Sequence, residues 1–158
     1  MGKAVKFALS AGGNVGNVEG SIRCAVEKLK ASGATEVRLS GFYRTAPVDC
    51  APGTADFTNA AITGYWRQGA LELLRSCQKW EVEAGRPPLH GINQPRTLDL
   101  DLVLFGEEMI RESALIVPHP RAKSRRFVLE PLAEIAGDMR FPDCGKRVDE
   151  LFAEILQE

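Results

Sequence analysis

Apolar residues recur along the chain with two kinds of spacing, which predict alternating strands and helices. Four short runs rich in apolar and β-branched residues predict β-strands at 4–10, 36–48, 56–66 and 98–105. Three runs with apolar side chains every three or four positions predict helices at 70–84, 127–136 and 148–157. A further helix, with Ile22, Val26 and Leu29 on one face, is predicted after the first strand and ends at Ser32-Gly33.

The predicted order β-α-β-β-α-β, followed by helices, is typical of a ferredoxin-like α+β sandwich. We therefore expect an antiparallel sheet in α-β-α layers, with C-terminal helices added to the core. The glycine-rich segment 11–17 should end the first strand in a tight turn, and Pro131 should break the helix at 127–136. Segment 11–17 matches neither a Walker motif nor G-x-G-x-x-G, so its glycines are interpreted as letting a ligand approach the backbone.

The strand at 98–105, LDLDLVLF, carries two carboxylates two positions apart. Strand side chains alternate between faces, so the leucines at 98, 100, 102 and 104 should face a core. Asp99 and Asp101 should share the other face with Val103 and Phe105. Two positions span about 6.5–7 Å, which lets two carboxylates share one or two magnesium ions. The pattern also fits two solvated side chains on an exposed sheet face.

Cations cluster in the sequence around this pair. Arg96 lies just before it, Arg86 follows the second helix, and residues 119–126 contain four Lys or Arg in eight positions. Carboxylates for magnesium and separate cations for phosphate are the two parts of a phosphoryl-transfer site. The alternative for each arginine alone is a solvated surface charge.

Length, net charge and cysteine content limit the number of domains and the classes of binding partner. The 158 residues suffice for one domain, expected to span 1–158, and the net charge of −1 disfavours nucleic acid and anionic membranes as partners. No apolar run approaches the roughly 18 residues of a membrane span, so a cytoplasmic protein is expected. The four cysteines form no C-x-x-C pair and are expected to be small buried hydrophobes rather than zinc ligands.

Pro95-Arg96-Thr97-Leu98-Asp99-Leu100-Asp101-Leu102-Val103-Leu104 resembles the signature of the 6-hydroxymethyl-7,8-dihydropterin pyrophosphokinase family. The resemblance continues in the family's order from about residue 4 to residue 136. The other matching segments are Gly12-Gly13-Asn14-Val15-Gly16, Phe42-Tyr43-Arg44-Thr45-Ala46-Pro47, Asp56-Phe57-Thr58-Asn59-Ala60-Ala61, Glu81 with Gly85-Arg86, Val117-Pro118-His119-Pro120-Arg121 and Arg125-Arg126-Phe127-Val128-Leu129.

The resemblance implies a monomeric enzyme of folate biosynthesis that transfers pyrophosphate from ATP to 6-hydroxymethyl-7,8-dihydropterin, giving AMP and the pterin diphosphate. Asp99 and Asp101 would bind two Mg²⁺ ions bridging the ATP phosphates, and Arg86 and Arg96 would join them in catalysis. Asn59 would hydrogen-bond to the edge of the pterin, and Phe57 and Phe127 would stack on the two faces of its ring. The implied pterin contacts are Thr45, Pro47, Val48, Phe57, Asn59 and Phe127. The implied ATP contacts are Gln78, Glu81, Arg86, Arg96, Leu102, His119 and Arg125.

The sequence departs from the family before the signature. Segment 87–94, expected to act as a lid over ATP, has neither arginine nor tryptophan, and Gly13 stands where serine is usual. This departure keeps open a non-catalytic relative that binds pterin or nucleotide. The D-x-D pair alone would also permit another two-metal enzyme such as a nuclease, although the near-neutral charge disfavours a nucleic-acid substrate.

Overall fold

A computed structural model of the chain describes residues 3–46, 56–85 and 97–157. Its strands, numbered β1 to β7, are Val5–Gly13, Thr35–Leu39, Tyr43–Thr45, Phe57–Trp66, Asp99–Phe105, Ile110–Arg111 and Ile116–Val117. Its α-helices, numbered α1 to α4, are Val18–Ala31, Ala70–Glu83, Arg126–Ala136 and Val148–Leu156, and a short 3-10 helix covers Ala122–Ser124. Within these residues, no helix is long and apolar enough to cross a membrane.

The main sheet confirms the ferredoxin-like prediction. Its strand order is β2-β4-β1-β5, every pair is antiparallel, and β3 also pairs with β4. The chain builds this order through β1-α1-β2 and β4-α2-β5, which is the split β-α-β arrangement of that fold. β6 and β7 form a separate two-stranded hairpin that the sequence pattern did not predict.

Two hydrophobic cores lie on opposite faces of the sheet. The first core, under α1 and α2, includes Phe7, Leu9, Ile22, Leu29, Ile62, Leu73, Trp80 and Leu100. The second core, under α3 and α4, includes Ala8, Ala61, Val103, Leu129, Leu132, Phe141 and Val148. Helices on both faces explain why the two central strands are buried along most of their length.

One predicted alternation is wrong at the end of β5. Relative to β1, β5 carries an extra residue at Val103, between Leu102 and Leu104. Such a β-bulge shifts the alternation by one position. Leu102 therefore lies in the first core, Leu104 lies in the second, and Phe105 returns to the first.

The single strand predicted at 36–48 is divided between β2 and β3. Ser40 lies between them, and its backbone N–H donates to the carbonyl of Ala61 at 3.0 Å. The Ser40 hydroxyl oxygen accepts from the Ala61 N–H at 2.8 Å, in place of a backbone carbonyl. A side chain thus interrupts the ladder, a competition that serine commonly offers. The last two residues of the predicted strand lie outside the described residues.

Two other local predictions are wrong. β1 runs through Gly13 instead of ending before the glycine segment, because Gly12 and Gly13 both pair with β4. α3 continues through Pro131, whose ring is buried and whose missing N–H removes only the bond to the Phe127 carbonyl. Extended backbone at Gly12 brings it into the middle of the sheet.

The cysteines are only partly as expected. Cys77 is buried in the first core, and burial raises the pKa of its thiol, helped by the charges of Glu81 and Asp101. Cys24 and Cys144 are exposed free thiols, so the buried prediction is wrong for them. Cys50 lies outside the described residues.

We predict that Leu129→Ala lowers the free energy of unfolding by about 2–5 kcal/mol, because neighbours relax only partly into the cavity left in the second core. Leu129 is 0% exposed. Urea titration followed by circular dichroism measures the change. Leu156→Ala, where the side chain is 52% exposed, is the control and should cost less than about 1 kcal/mol. Equal losses would contradict the placement of Leu129.

Candidate active site

Sheet register places residues of four strands in one row, with polar side chains on three of them. Asp99 of β5 pairs with Gly12 of β1, Gly12 pairs with Asn59 of β4, and Asn59 pairs with Tyr43 of β3. Directly paired residues in an antiparallel sheet point to the same face. This row, called here the site row, therefore lies on the α3 face of the sheet.

A second row lies one step further into the same face. Asp101 pairs with Ser10, and Ser10 pairs with Ala61. Asp101 is partly buried and Ser10 is 7% exposed. Beyond them the face becomes the apolar second core, so the two aspartates stand where the core ends.

The aspartates provide hard oxygen ligands, but they are not a complete protein cage. Among the described residues, no group of three or more His, Cys, Asp and Glu could hold a metal ion. Magnesium typically binds one or two carboxylates and takes its other ligands from water and substrate phosphates. The donor set of Asp99 and Asp101 fits that ion.

Asn59 is held in a fixed orientation inside the sheet. It is 5% exposed, and its Nδ2 donates to Thr45 Oγ1 at 2.8 Å. A Cβ on Gly12 would lie 2.8 Å from Asn59 Oδ1 and 3.0 Å from the Thr58 carbonyl oxygen. Only glycine leaves room for this amide, which gives Gly12 a role that the sequence pattern alone did not reveal.

Two phenylalanines border the row from different elements. Phe57 pairs with Thr45, two positions before Asn59, and so lies on the same face of β4. Phe127, in the first turn of α3, packs against the second core. The guanidinium of Arg125 lies over the Phe127 ring, 5.4 Å from its centroid. The ring and the cation are therefore held beside each other at the start of α3.

His119 joins the site from the segment before α3. The backbone N–H of His119 donates to the Val103 carbonyl at 3.0 Å, which attaches the segment to the bulge in β5. Burial lowers the pKa of His119, the charges of Arg125 and Arg121 lower it further, and Asp99 opposes them. The lowered pKa favours the neutral imidazole, a form that can both donate and accept a hydrogen bond.

A groove of about 280 Å³ follows the outer edge of β5. Its lining residues include Leu74, Asp101, Leu102 and His119. The groove thus joins apolar side chains from the first core to the carboxylate end of the site.

Gln78 and Glu81 lie on α2, which packs against β5. Glu81 Oε2 accepts a hydrogen bond from the Leu100 N–H at 2.7 Å. Leu74, Gln78 and Glu81 follow at helical spacing, so they share one side of α2. Gln78 is exposed.

Several predicted contacts fall outside the residues that the structure describes. They are Pro47, Val48, Arg86, Arg96 and the expected lid at 87–94. Sheet register places five of the other predicted positions on one face: Thr45, Phe57, Asn59, Asp99 and Asp101. Leu102 and His119 line the groove along β5, and Glu81 bonds to that strand. Gln78 lies on the same side of α2 as Glu81, and Arg125 and Phe127 lie at the start of α3.

The structure shows a contact between α3 and β3 that no pattern in the sequence predicts. Tyr43 donates its hydroxyl to Glu134 Oε1 at 2.6 Å. The Gly41 N–H donates to the same carboxylate, at 3.1 Å to Oε2 and 3.2 Å to Oε1. The hydrogen bond to Glu134, then burial, then the charges of Glu134 and Glu130 raise the pKa of Tyr43 to about 12.

Comparison with known families gives a match over most of the chain. The model of the family described as 7,8-dihydro-6-hydroxymethylpterin-pyrophosphokinase matches residues 8–137. A 2-amino-4-hydroxy-6-hydroxymethyldihydropteridine pyrophosphokinase of Synechocystis is 36% identical over 145 residues, covering 91% of this chain and 73% of the relative. One of the same name from Bacillus subtilis is 41% identical over 128 residues, covering 80% and 75%.

Among solved structures, the chain resembles the wild-type HPPK-DHPS of Plasmodium falciparum with a TM-score of 0.73. The alignment covers 98% of this chain and 42% of that one, at 11% identity. At that identity the likeness concerns the fold alone.

We predict that Gly12→Ala destabilises the protein by about 1–3 kcal/mol, because the added methyl group meets the Asn59 amide and an immovable backbone carbonyl. Chemical unfolding measures the loss. The matched control is Gly41→Ala, whose Cβ would lie at an ordinary 3.4 Å from Glu134 Oε1. The control should change stability by no more than about 1 kcal/mol. Similar values for both variants would contradict the close approach at Gly12.

Proposed function

We propose that residues of the site row and of the β5 groove bind the substrates of this enzyme. The chain belongs to the 7,8-dihydro-6-hydroxymethylpterin-pyrophosphokinase family. The chain is a pyrophosphokinase that transfers pyrophosphate from ATP to hydroxymethyldihydropterin in folate synthesis. The proposal concerns the residues that bind the two substrates and the metal. The observation that carries it is the site row, which aligns Asp99 and Asn59 on one face.

The distance between Asp99 and Asn59 in the site row suits a reaction between two substrates bound side by side. Asp99 and Asn59 lie on strands separated only by β1, so their backbones are about 9.5 Å apart, two interstrand spacings. Gly12 lies between them and has no side chain to fill the space. A flat ring bound at Asn59 can therefore direct a substituent across Gly12 toward the two aspartates.

The proposed metal ligands are Asp99 and Asp101, holding two Mg²⁺ ions together with the ATP phosphates. Bound there, magnesium would neutralise charge on the transferring group and orient it. The position of both carboxylates at the end of the second core supports this assignment, because an apolar border strengthens their interaction with cations.

The proposed pterin site is the Asn59 end of the row. Thr45 holds the amide of Asn59, which leaves the remaining amide hydrogen and oxygen to recognise the polar edge of the ring. Phe57 and Phe127, from β4 and α3, would contact its two faces. We assign Pro47 and Val48 to the same site from the family resemblance.

The proposed ATP site begins in the groove along β5. Leu102 would contact the base, and neutral His119 would donate or accept a hydrogen bond. Arg125, beside His119, would neutralise phosphate charge. Gln78 and Glu81 border the same strand edge from α2, and the family resemblance adds Arg86 and Arg96 as catalytic cations.

The chemistry then follows from positioning. The pterin hydroxyl oxygen forms a bond to the β-phosphorus of ATP and loses its proton near Asp99 or Asp101. The bond from that phosphorus to the oxygen of the leaving AMP breaks at the same time. Fixed sites for the ring and the phosphates hold the reacting atoms in line, which removes much of the entropic barrier. The arginines balance negative charge on the transferred group.

We also propose that residues 1–158 act as one domain and that the enzyme is a cytoplasmic monomer. The antiparallel sheet with helices on both faces supports one folded unit. Free thiols at Cys24, Cys77 and Cys144 are consistent with a reducing compartment.

We predict that Asp101→Ala reduces pyrophosphoryl transfer by at least about 10²–10³-fold, since a charge-stabilising group at the reacting phosphates is lost. Pterin binding should partly survive, because Asn59 is unchanged. Quantifying AMP formed from ATP and 6-hydroxymethyl-7,8-dihydropterin measures the rate, and calorimetry measures pterin binding. Glu108→Gln, an exposed carboxylate after β5, is the control and should retain full turnover. Near-normal turnover of Asp101→Ala would refute the metal assignment.

We predict that Asn59→Ala weakens pterin affinity by about 10–100-fold, the loss expected for buried hydrogen bonds left unmade. ATP affinity should change much less, because the groove along β5 is intact. Titration calorimetry with each substrate alone measures both constants. Equal losses for the two substrates would exclude Asn59 as the residue that recognises pterin.

A further inference from the structure

α3 is attached to the site at two points. Its first turn carries Phe127, and its third turn carries Glu134. The two residues are seven positions apart, so they lie on nearly the same side of the helix and about 10.5 Å apart along its axis. Any movement of α3 at Glu134 therefore also displaces Phe127.

The Glu134 carboxylate accepts hydrogen bonds from the Gly41 N–H and the Tyr43 hydroxyl, at the start of β3. This set of hydrogen bonds is called here the Tyr43–Glu134 clamp. Bonds to a carboxylate are stronger than neutral ones, and the short 2.6 Å contact of Tyr43 is of that type. The raised pKa of Tyr43 keeps its hydroxyl protonated, and therefore a donor, at neutral pH.

The strand that the clamp holds has little other support. β3 has three residues, and in the described part of the chain it pairs with β4 alone. Tyr43 and Thr45 lie on the same face of β3, and Thr45 accepts the hydrogen bond that orients Asn59. A shift of β3 would consequently disturb the Asn59 amide.

We propose that the Tyr43–Glu134 clamp sets the width of the slot between Phe57 and Phe127, and that Glu134 is a positioning residue for the pterin ring. Phe57 is fixed to β3 through its pairing with Thr45, and Phe127 is fixed to α3. Glu134 joins these two bodies. It acts through them and not by contact with the reacting atoms, and the proposal rests on the pterin site proposed above.

The test compares binding of each substrate alone to folded variants. Glu134→Ala should raise the dissociation constant for 6-hydroxymethyl-7,8-dihydropterin about tenfold, and Tyr43→Phe about three- to fivefold, as expected when charge-assisted bonds are lost. The constant for a non-hydrolysable ATP analogue with magnesium should change less than about twofold, because the β5 groove lies away from the clamp. Thermal unfolding sets a temperature at which every variant is folded.

Two further variants separate positioning from general packing. Glu134→Gln keeps an oxygen that accepts from Tyr43 and Gly41, so it should restore pterin affinity to within about threefold of the original chain. Glu130→Ala, one turn earlier on α3, removes a surface pair with Arg126 and a charge that acts on Tyr43, but no hydrogen bond of the clamp, so it should leave affinity unchanged.

A double variant adds a specific criterion. If Tyr43 and Glu134 act through one contact, Tyr43→Phe should add little to the loss in Glu134→Ala. The clamp would be overturned if the losses of the two single variants were additive in the double variant. It would also be overturned if Glu134→Ala left pterin affinity unchanged, or lowered pterin and ATP affinity equally.

Failure of the clamp can be distinguished from failure of the proposed pterin site. Asn59→Ala, measured in the same series, should weaken pterin binding in either case. If Asn59→Ala has no effect, the proposed pterin site is wrong. If Asn59→Ala weakens binding and Glu134→Ala does not, only the clamp is wrong.

Discussion

The hydrogen-bonded pairing of β1 with both β4 and β5 is the constraint on which the site depends. It places Gly12 between Asp99 and Asn59, residues that are forty positions apart in the chain. A slip of one residue in either ladder would turn one of these side chains to the opposite face. Large buried side chains on the opposite face of β1 and β4, including Phe7, Leu9 and Ile62, oppose such a slip because each would have to leave the first core.

The bulge at Val103 links this register to the boundary between site and core. Before the bulge, Asp99 and Asp101 occupy the α3 face, and beyond it Leu104 occupies that face instead. The same face is therefore polar near the start of β5 and apolar near its end. The Val103 carbonyl also accepts from the His119 backbone N–H, so the bulge lies both where the polar stretch ends and where the segment of His119 attaches to β5.

Local patterns allowed much of this arrangement to be predicted. Alternation in LDLDLVLF put Asp99 and Asp101 on one face, and the order of elements gave the ferredoxin-like topology. Both properties follow from residues close together in the chain. The predicted faces failed only where an extra residue entered the ladder, which depends on the partner strand and is invisible in β5 alone.

The features that sequence could not supply are those that require tertiary proximity. Ser40 divides a predicted strand because its hydroxyl meets Ala61, and Glu134 meets Tyr43 across 91 positions of chain. Nothing in a helical or strand period specifies either contact. Gly12 is a similar case, since its glycine is required by the Asn59 amide on a neighbouring strand rather than by a turn.

The location of these contacts explains how one scaffold can hold two chemically different substrates. The aspartates stand on β5 and the amide on β4, both ordered by a sheet with cores on each face, so their separation is nearly fixed. The aromatic contacts differ. The second core holds the helix of Phe127 against the sheet, and the polar bonds at Glu134 join that helix to the short strand β3. In the proposed site, the phosphate end depends mainly on the backbone ladder, whereas the fit of the pterin ring also depends on side-chain contacts that a single substitution can change. It follows that substitutions at Glu134 can adjust pterin recognition without displacing the two carboxylates.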